Sequence, residues 1–290
     1  MSWTGLKKAI NRAGTQVLVK TGQMDQTVDK EFEFEEKRYR TMEISSNKLQ
    51  KELRHYLESL RMLTNSQVNI GESLSTYYGA LPSSLTPSLS NNHNNTQDPE
   101  SAANAAPKEK FNSLSQEYYA TMKTLGEQSL AELEHPYNQT VLNPIARFNS
   151  YYIEINEAIK KRANKQLDYD AMKSKVKKLI EKPPANGDYE TKLANYQTEL
   201  TELENVYQQI NSQLKSEIPK LINLRIPFLD PSFEAFVKIQ LRFFNENYSQ
   251  LDTLQKKLDS RTREAATNGN LDKRLDDILG KMRELNITGA

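Results

Sequence analysis

Cysteine is absent from this 290-residue chain. That excludes disulfides, thiolate metal sites and a cysteine nucleophile, and it removes any small disulfide-stapled secreted fold. Glycine (10) and proline (11) are both scarce, which argues against a turn-rich all-β fold. Histidine occurs three times, as His55, His93 and His135, and no two stand at a metal-binding spacing. No Gly-rich phosphate loop, HExxH or GxSxG is present, so the expectation is no enzyme, no metal and no cofactor. No apolar run approaches the ~20 residues of a membrane span, and the charged N-terminus lacks a secretory apolar core.

What is present is charge, at 27% of residues, balanced to a net +1 but unevenly spread. Residues 1–20 carry Lys7, Lys8, Arg12 and Lys20 and no acid, for +4. Residues 160–182 carry nine bases against Asp168, Asp170 and Glu181, for +6. The rest of the chain is therefore net −9. Two positive patches on an acidic body point to an anionic partner met in two places.

Seven-residue repeats dominate the rest. In 25–81 the seam predicts burial of Leu49, Leu53, Tyr56, Leu60, Leu63, Ile70, Leu74 and Tyr77, with Gln67 as a polar gap. Residues 82–109, rich in Ser, Asn, Thr and Pro, read as a mobile insertion. The second helical segment, 110–181, continues through Ile145, Phe148, Tyr152, Ile155 and Ile159 to Tyr169, Met172, Val176 and Leu179, with kinks at Pro136 and Pro144. At about 70 residues it would reach roughly 100 Å. The third, 189–266, runs from Tyr189 through Tyr207 and Leu214 to Leu221, with Glu217 as its gap. Pro219, Pro227 and Pro231 predict a bend or break there. The fold expected is all-α, a thin antiparallel bundle of three long helices, followed by a tail (267–290) with one short helix.

Past the prolines, Phe233, Phe236, Leu241, Phe244 and Tyr248 form an aromatic stripe. It reads either as a dimer surface or as packing inside one chain. The N-terminal segment, 1–24, is amphipathic. Trp3, Leu6, Ile10, Ala13 and Val17 share one half of the wheel; Lys8, Asn11, Arg12 and Thr15 take the other, and Val19 breaks the pattern. A basic polar face with Trp at one end fits a helix lying in a membrane interface, and fits equally a short helix docked on the protein itself. The 160–182 run likewise reads as a lipid contact or as a solvated helix face.

Several blocks, in order, resemble a known family. MSWTGLKKAINRAG (1–14) is similar to an amphipathic leader, KEFEFEEKRYRTME (30–43) to a first helix, and TVLNPIARFNSYYIEINEAIKKRANKQLDYDAMKSKVKKL (140–179) to a second helix with its basic tip. LKSEIPKLINLRIPFLDPSFEAFVKIQLRFF (214–244) resembles the third-helix signature. Together they resemble the amphiphysin-like BAR domains with an N-terminal amphipathic helix, of the short fungal Rvs type. Asn164 stands where that family often has His, and the insertion is longer than its pattern.

The resemblance implies a BAR domain over 25–266: an elongated three-helix coiled coil that pairs into a crescent-shaped dimer. It implies a membrane-curvature scaffold in endocytic scission and cortical actin organisation, cytoplasmic and peripheral at the plasma membrane. Membrane-inserting residues would be Trp3, Leu6, Ile10, Ala13 and Val17, in a leader that folds on contact. Headgroup contacts would be Lys7, Lys8, Arg12, Lys160, Lys161, Arg162, Lys165, Lys173, Lys175, Lys177 and Lys178. The dimer surface would include Phe233, Phe236, Leu241, Phe244 and Tyr248. Partners implied are anionic lipids, phosphoinositides among them, and a second copy or a longer Rvs-type protein with a Src-homology-3 domain. A link to actin would be indirect. The competing reading is a coiled-coil cytoskeletal adaptor that meets acidic proteins without remodelling membranes. Nucleic acid is not expected, because the basic run has only Tyr169 to stack, and Tyr169 lies on the apolar seam.

Overall fold

The computed structural model describes residues 3–78, 106–184, 188–258 and 260–285. Every regular element among them is helical. They are α1 (Trp3–Lys20), α2 (Lys30–Tyr77), α3 (Ala106–Thr124), α4 (Leu130–Tyr137), α5 (Asn143–Glu181), α6 (Tyr189–Lys257), α7 (Ser260–Thr267) and α8 (Leu271–Arg283). The 25–81 segment is helical only from Lys30, and the third segment ends as α6 at Lys257, with α7 separate. Most of the predicted insertion lies outside the described residues, but α3 begins inside it, at Ala106.

The chain divides into two compact units. The first comprises residues 1–55 and 138–236. Its core joins Phe32, Tyr39 and Met42 of α2, Phe148, Tyr152 and Ile159 of α5, and Leu214, Ile218 and Ile222 of α6. Side-chain contacts fix the packing of this bundle as antiparallel. Along α2 and α5, Phe32 lies under Arg162, Tyr39 meets Tyr152, and Ser46 donates to Asn149. Along α5 and α6, Tyr169 stacks on Tyr207 and Phe148 packs on Phe228. Both pairs of helices run in opposite senses, as three segments joined end to end must if they share one core.

The second unit comprises residues 56–137 and 237–290, with Met122, Leu125 and Leu254 at one centre of its core. Tyr56 stacks on Tyr137, Arg61 pairs with Glu134, and Gly71 faces Tyr119, so α2 again runs antiparallel to the chain returning through α3 and α4. A Cβ on Gly71 would lie 2.8 Å from the Tyr119 Cα, so only glycine permits this approach of two backbones.

Two features differ from the seam predicted along α2. Leu49, Leu63, Ile70 and Tyr77 are exposed, while Phe32, Tyr39, Ser46, Leu57, Thr64 and Gly71 are buried. Small and hydroxyl-bearing residues (Ser46, Thr64 and Gly71) are turned inward beside the large apolar ones, and Thr64 satisfies its hydroxyl by donating to the Leu60 carbonyl. Of the bend or break expected at the prolines of the third segment, the break does not occur. Pro219, Pro227 and Pro231 all lie inside α6, which continues through them. In the second segment, the five-residue π-helical turns Leu125–Ser129 and Asn138–Leu142 flank α4, which holds Pro136; Pro144 sits in the first turn of α5, directly after the second of these turns.

Candidate functional site

The two basic stretches meet in the first unit. Helix α1 packs on α5 by its polar stripe. The Arg12 guanidinium donates twice to the Asp168 carboxylate, at 2.8 and 2.7 Å, and Thr15 is buried beneath the helix. Arg12, Thr15 and Val19 repeat at three and four residues, so Val19, which broke the amphipathic pattern, belongs to this docked stripe. The hydrogen bond from Arg12 to Asp168 raises the guanidinium pKa against the opposing effect of burial.

The opposite stripe of α1 faces solvent. Trp3 is 82% exposed, Ile10 63% and Val17 59%, with Leu6 and Ala13 also exposed. Lys7 and Lys8 are exposed as well. The helix ends at Gly22, whose φ of +70° is open to glycine at no steric cost. There the Gln23 N–H donates to the Leu18 carbonyl and the Gly22 N–H to that of Val19, a Schellman closure.

Residues 23–29, between α1 and α2, are clamped by acids. The Asp170 carboxylate accepts the Thr27 backbone N–H at 3.2 and 3.3 Å and the Thr27 hydroxyl at 2.5 Å. Gln166 donates to the Thr27 carbonyl. Asp29 caps α2 by accepting the Phe32 N–H at 3.0 Å, and it also accepts from Asn211 at 2.7 Å and Lys215 at 3.4 Å. Burial pushes the Asp29 carboxyl up, but these donors outweigh it and hold it below the usual carboxylate range.

Arg162 belongs to this clamp and not to a lipid-facing surface, which corrects the assignment made from sequence. It is buried, donating to Asn211 at 2.6 Å, to Gln166 at 3.1 Å and to the Tyr207 hydroxyl at 3.1 Å, with its guanidinium 3.5 Å from the centroid of the Phe32 ring. Burial lowers its pKa, the sign expected for a cation taken from water. With one hydrogen bond made inside the protein from each of its three nitrogens, and with its side chain buried, Arg162 is not open to a phosphate at the surface. Arg12 is half-buried and spends its fork on Asp168.

The remaining bases stay available. Lys160, Lys161, Lys173, Lys175, Lys177 and Lys178 are exposed and Lys165 is half-buried. Lys160, Lys161, Lys175 and Lys178 fall within roughly 100° of one another around α5, and Lys173 and Lys177 lie on another flank. Lys177 reaches Asp25 at 3.3 Å, a pair exposed on both sides. Lys173 lies 5.7 Å from the Tyr169 ring centroid. Arg12, Lys160, Lys161, Asn164 and Lys165 line a shallow cavity of about 390 Å³ with Glu157 and Ala158. Lys165, on the apolar seam by its spacing, reaches the edge of that cavity.

Along α6, Phe233 (68%), Leu241 (60%), Phe244 (51%) and Tyr248 (72%) are exposed and Phe236 is half-buried. The first unit also carries an apolar groove of about 630 Å³ lined by Phe34, Met42, Leu49, Phe148, Ile222 and Leu229. Among the described residues, no helix is long and apolar enough to cross a membrane, and no three metal-ligating side chains gather.

Reading the sequence missed Asp168, Asp170, Asp29 and Asn211 as positioning groups. The signal available was Asp168-Tyr169-Asp170 inside the basic run, which entered only as a subtraction from its charge.

Comparisons with known proteins agree with this architecture. The family model described as BAR domain matches residues 6–260. The chain is 54% identical to RVS161-like protein RVS162 of Candida albicans, over 100% of this chain and 99% of that protein. It is 42% identical to the same organism's regulator of cytoskeleton and endocytosis RVS161, over 99% of this chain and 98% of that protein. Among solved structures it is similar to the amphiphysin BAR domain from Drosophila, at 20% identity and a TM-score of 0.50, covering 82% of this chain and 96% of that one.

Proposed function

The chain belongs to the BAR domain family, and from that premise we propose that it is a dimeric scaffold that binds anionic bilayers, senses or generates their curvature, and acts in endocytosis and cortical actin organisation. The observation that carries the reading is the orientation of α1. Its polar stripe is docked on α5 while Trp3, Leu6, Ile10 and Val17 face solvent beside exposed lysines. An exposed apolar stripe of this kind costs free energy in water and regains it at a lipid interface. Lysines near an anionic surface add about 1 kcal/mol each, less where salt screens them. The name of the Candida albicans relative, a regulator of cytoskeleton and endocytosis, supports the cellular setting.

In this reading Trp3, Leu6, Ile10, Ala13 and Val17 enter the cytoplasm-facing leaflet. Lys7, Lys8, Lys160, Lys161, Lys165, Lys173, Lys175, Lys177 and Lys178 meet headgroups. A second BAR chain, either a copy of this one or a longer Rvs-type partner, covers exposed apolar side chains in each unit: Phe233 and the groove around Phe34 and Ile222 in the first, and Leu241, Phe244 and Tyr248 in the second. Contiguous exposed apolar side chains on a folded chain mark an interaction surface. Phe236, half-buried, contributes less.

Co-sedimentation of the purified chain with phosphatidylserine-containing and with neutral vesicles, followed by negative-stain imaging, tests the proposal. Binding to the anionic vesicles alone, with narrow tubules, is the expected result. A folded, helical protein that ignores both vesicles, alone and with a co-expressed longer partner, overturns it in favour of an adaptor for acidic proteins.

A further inference from the structure

Helices α5 and α6 pack antiparallel in the first unit and carry opposite charge. The 160–182 stretch holds nine bases, and its Lys160, Lys161, Lys175 and Lys178 face away from the bundle core. Between Leu193 and Leu214, α6 has no lysine or arginine, and its only charges are Glu199, Glu202 and Glu204. Glu204 is half-buried and accepts from the Tyr169 hydroxyl at 3.5 Å, whereas Glu199 and Glu202 are exposed. Among the described residues no cation pairs with either of them.

Contacts made further along α6 show which flank these two acids occupy. Lys215 reaches Asp29 at 3.4 Å, and Asn211 donates to the same carboxylate, so the start of α2 covers that side. Glu199 and Glu202 stand roughly 140–160° around α6 from Lys215, on the flank that α2 leaves open. Packed helix axes lie about 8–10 Å apart. A bilayer met by the outward lysines of α5 is therefore about one helix further from the two acids, and the Debye length of about 8 Å screens them there. A roll of the helix pair toward the open flank lowers both acids onto the anionic surface.

We infer that Glu199 and Glu202 are positioning residues for membrane engagement: repelled by anionic lipid, they set the roll of the α5–α6 pair so that it settles on the α5 lysines and not on its open flank. This rests on the scaffold reading above and adds which way the pair faces once bound. The lysines supply affinity. The acids subtract from affinity and fix orientation.

Two readouts are expected to move in opposite directions. Attraction alone predicts that reversing the acids strengthens both binding and tubulation of phosphatidylserine-containing vesicles. Positioning predicts stronger binding and weaker tubulation. In the full chain, Glu199→Lys with Glu202→Lys is expected to tighten binding about tenfold, well short of the factor of about five per unit charge that unscreened contact would give. Because the added affinity comes from a second pose, the productive pose keeps about one tenth of the bound protein, and tubules per bound protein are expected to fall accordingly. Glu199→Gln with Glu202→Gln is expected to lie between, and circular dichroism to stay unchanged in both pairs.

The chain has no cysteine, so a single introduced thiol carries a single fluorophore. With spin-labelled lipid in the vesicles, a label at Asn164→Cys, among the α5 lysines, is expected to be quenched. A label at Asn195→Cys, on the open flank of α6, is expected to stay bright, and to be quenched once Glu199 and Glu202 are reversed. Quenching of the Asn195→Cys label with both acids in place overturns the inference. So does a label that stays bright after the reversal, or undiminished tubulation per bound protein; in these cases the scaffold reading stands. If the unaltered chain binds no anionic vesicle, the scaffold reading falls and the positioning role falls with it.

Discussion

Helices α1 and α8 carry the same kind of pattern and meet different fates. Both are short and amphipathic, with basic residues in the last turn. In α8, Leu271, Leu275, Ile278 and Met282 repeat at four and three residues, as sharp an apolar stripe as any in the chain, and no residue of the helix is buried. Helix α1 has the weaker stripe and is nevertheless seated, because Arg12 finds Asp168 and Thr15 finds cover. An apolar stripe says that a helix has a face to hide. Whether it is docked, and by which face, depends on partners distant in sequence.

The sharpest way to break the contrast is at the root of the docked region. Arg162→Ala should strand the groups that Arg162 bonds, Asn211, Gln166 and Tyr207, and cost about 3 kcal/mol of stability in urea unfolding. Lys281→Ala in α8 should leave the midpoint where it was, since nothing in that helix is buried.

Next comes the exposed cation surface. Reversing Lys177 and Lys178 together to Glu should weaken binding to anionic vesicles by about tenfold while the far-ultraviolet circular dichroism stays unchanged. Equal binding by that variant would remove this flank of α5 from the membrane surface.

Acid sharpens the comparison further. The Asp29 carboxyl sits below its ordinary range when folded, so its contribution is present above the unfolded carboxylate pKa of about 4 and is lost as pH falls through the depressed folded value. Asp29→Asn should therefore flatten the acid limb of the stability curve, as read by urea unfolding across pH. In α8, where no residue is buried, Asp276→Asn should leave the urea midpoint at neutral pH where it was.

The smallest effect separates the two helices by their glycines. A Cβ added at Gly14 or at Gly280 would meet no atom within 4 Å, so alanine fits at both. Each substitution should favour its helix by up to about 1 kcal/mol. In α1 that should slow amide exchange about fivefold; in α8 it should raise helicity without moving the global midpoint.

Much of the fold was legible because periodicity reports burial wherever large apolar residues carry the seam. Ile145, Phe148, Tyr152, Ile159, Met172 and Val176 are buried as their spacing predicts. Along α2 the same logic failed at Leu49, Leu63, Ile70 and Tyr77, because the inward positions there are held by Ser46, Thr64 and Gly71, which no hydropathy pattern marks. Arg162 failed for a related reason. A cation inside a basic run looks like its neighbours until Tyr207, Asn211 and Phe32 are brought around it.

By itself, then, the sequence determined that the protein is built from long helices without disulfides, that its positive charge is gathered at the leader and in 160–182, and that α1 and α8 are amphipathic. These are properties of composition and of spacing along one helix, where neighbours three and four apart share a face. Tertiary structure alone decided which face of α1 turns outward, which bases remain open to an anion, and that helix α6 passes unbroken through three prolines. The first two of those outcomes depend on pairings between residues far apart in the chain, such as Arg12 with Asp168 and Arg162 with Tyr207, and no local pattern encodes a pairing whose partners only the packed bundle brings together.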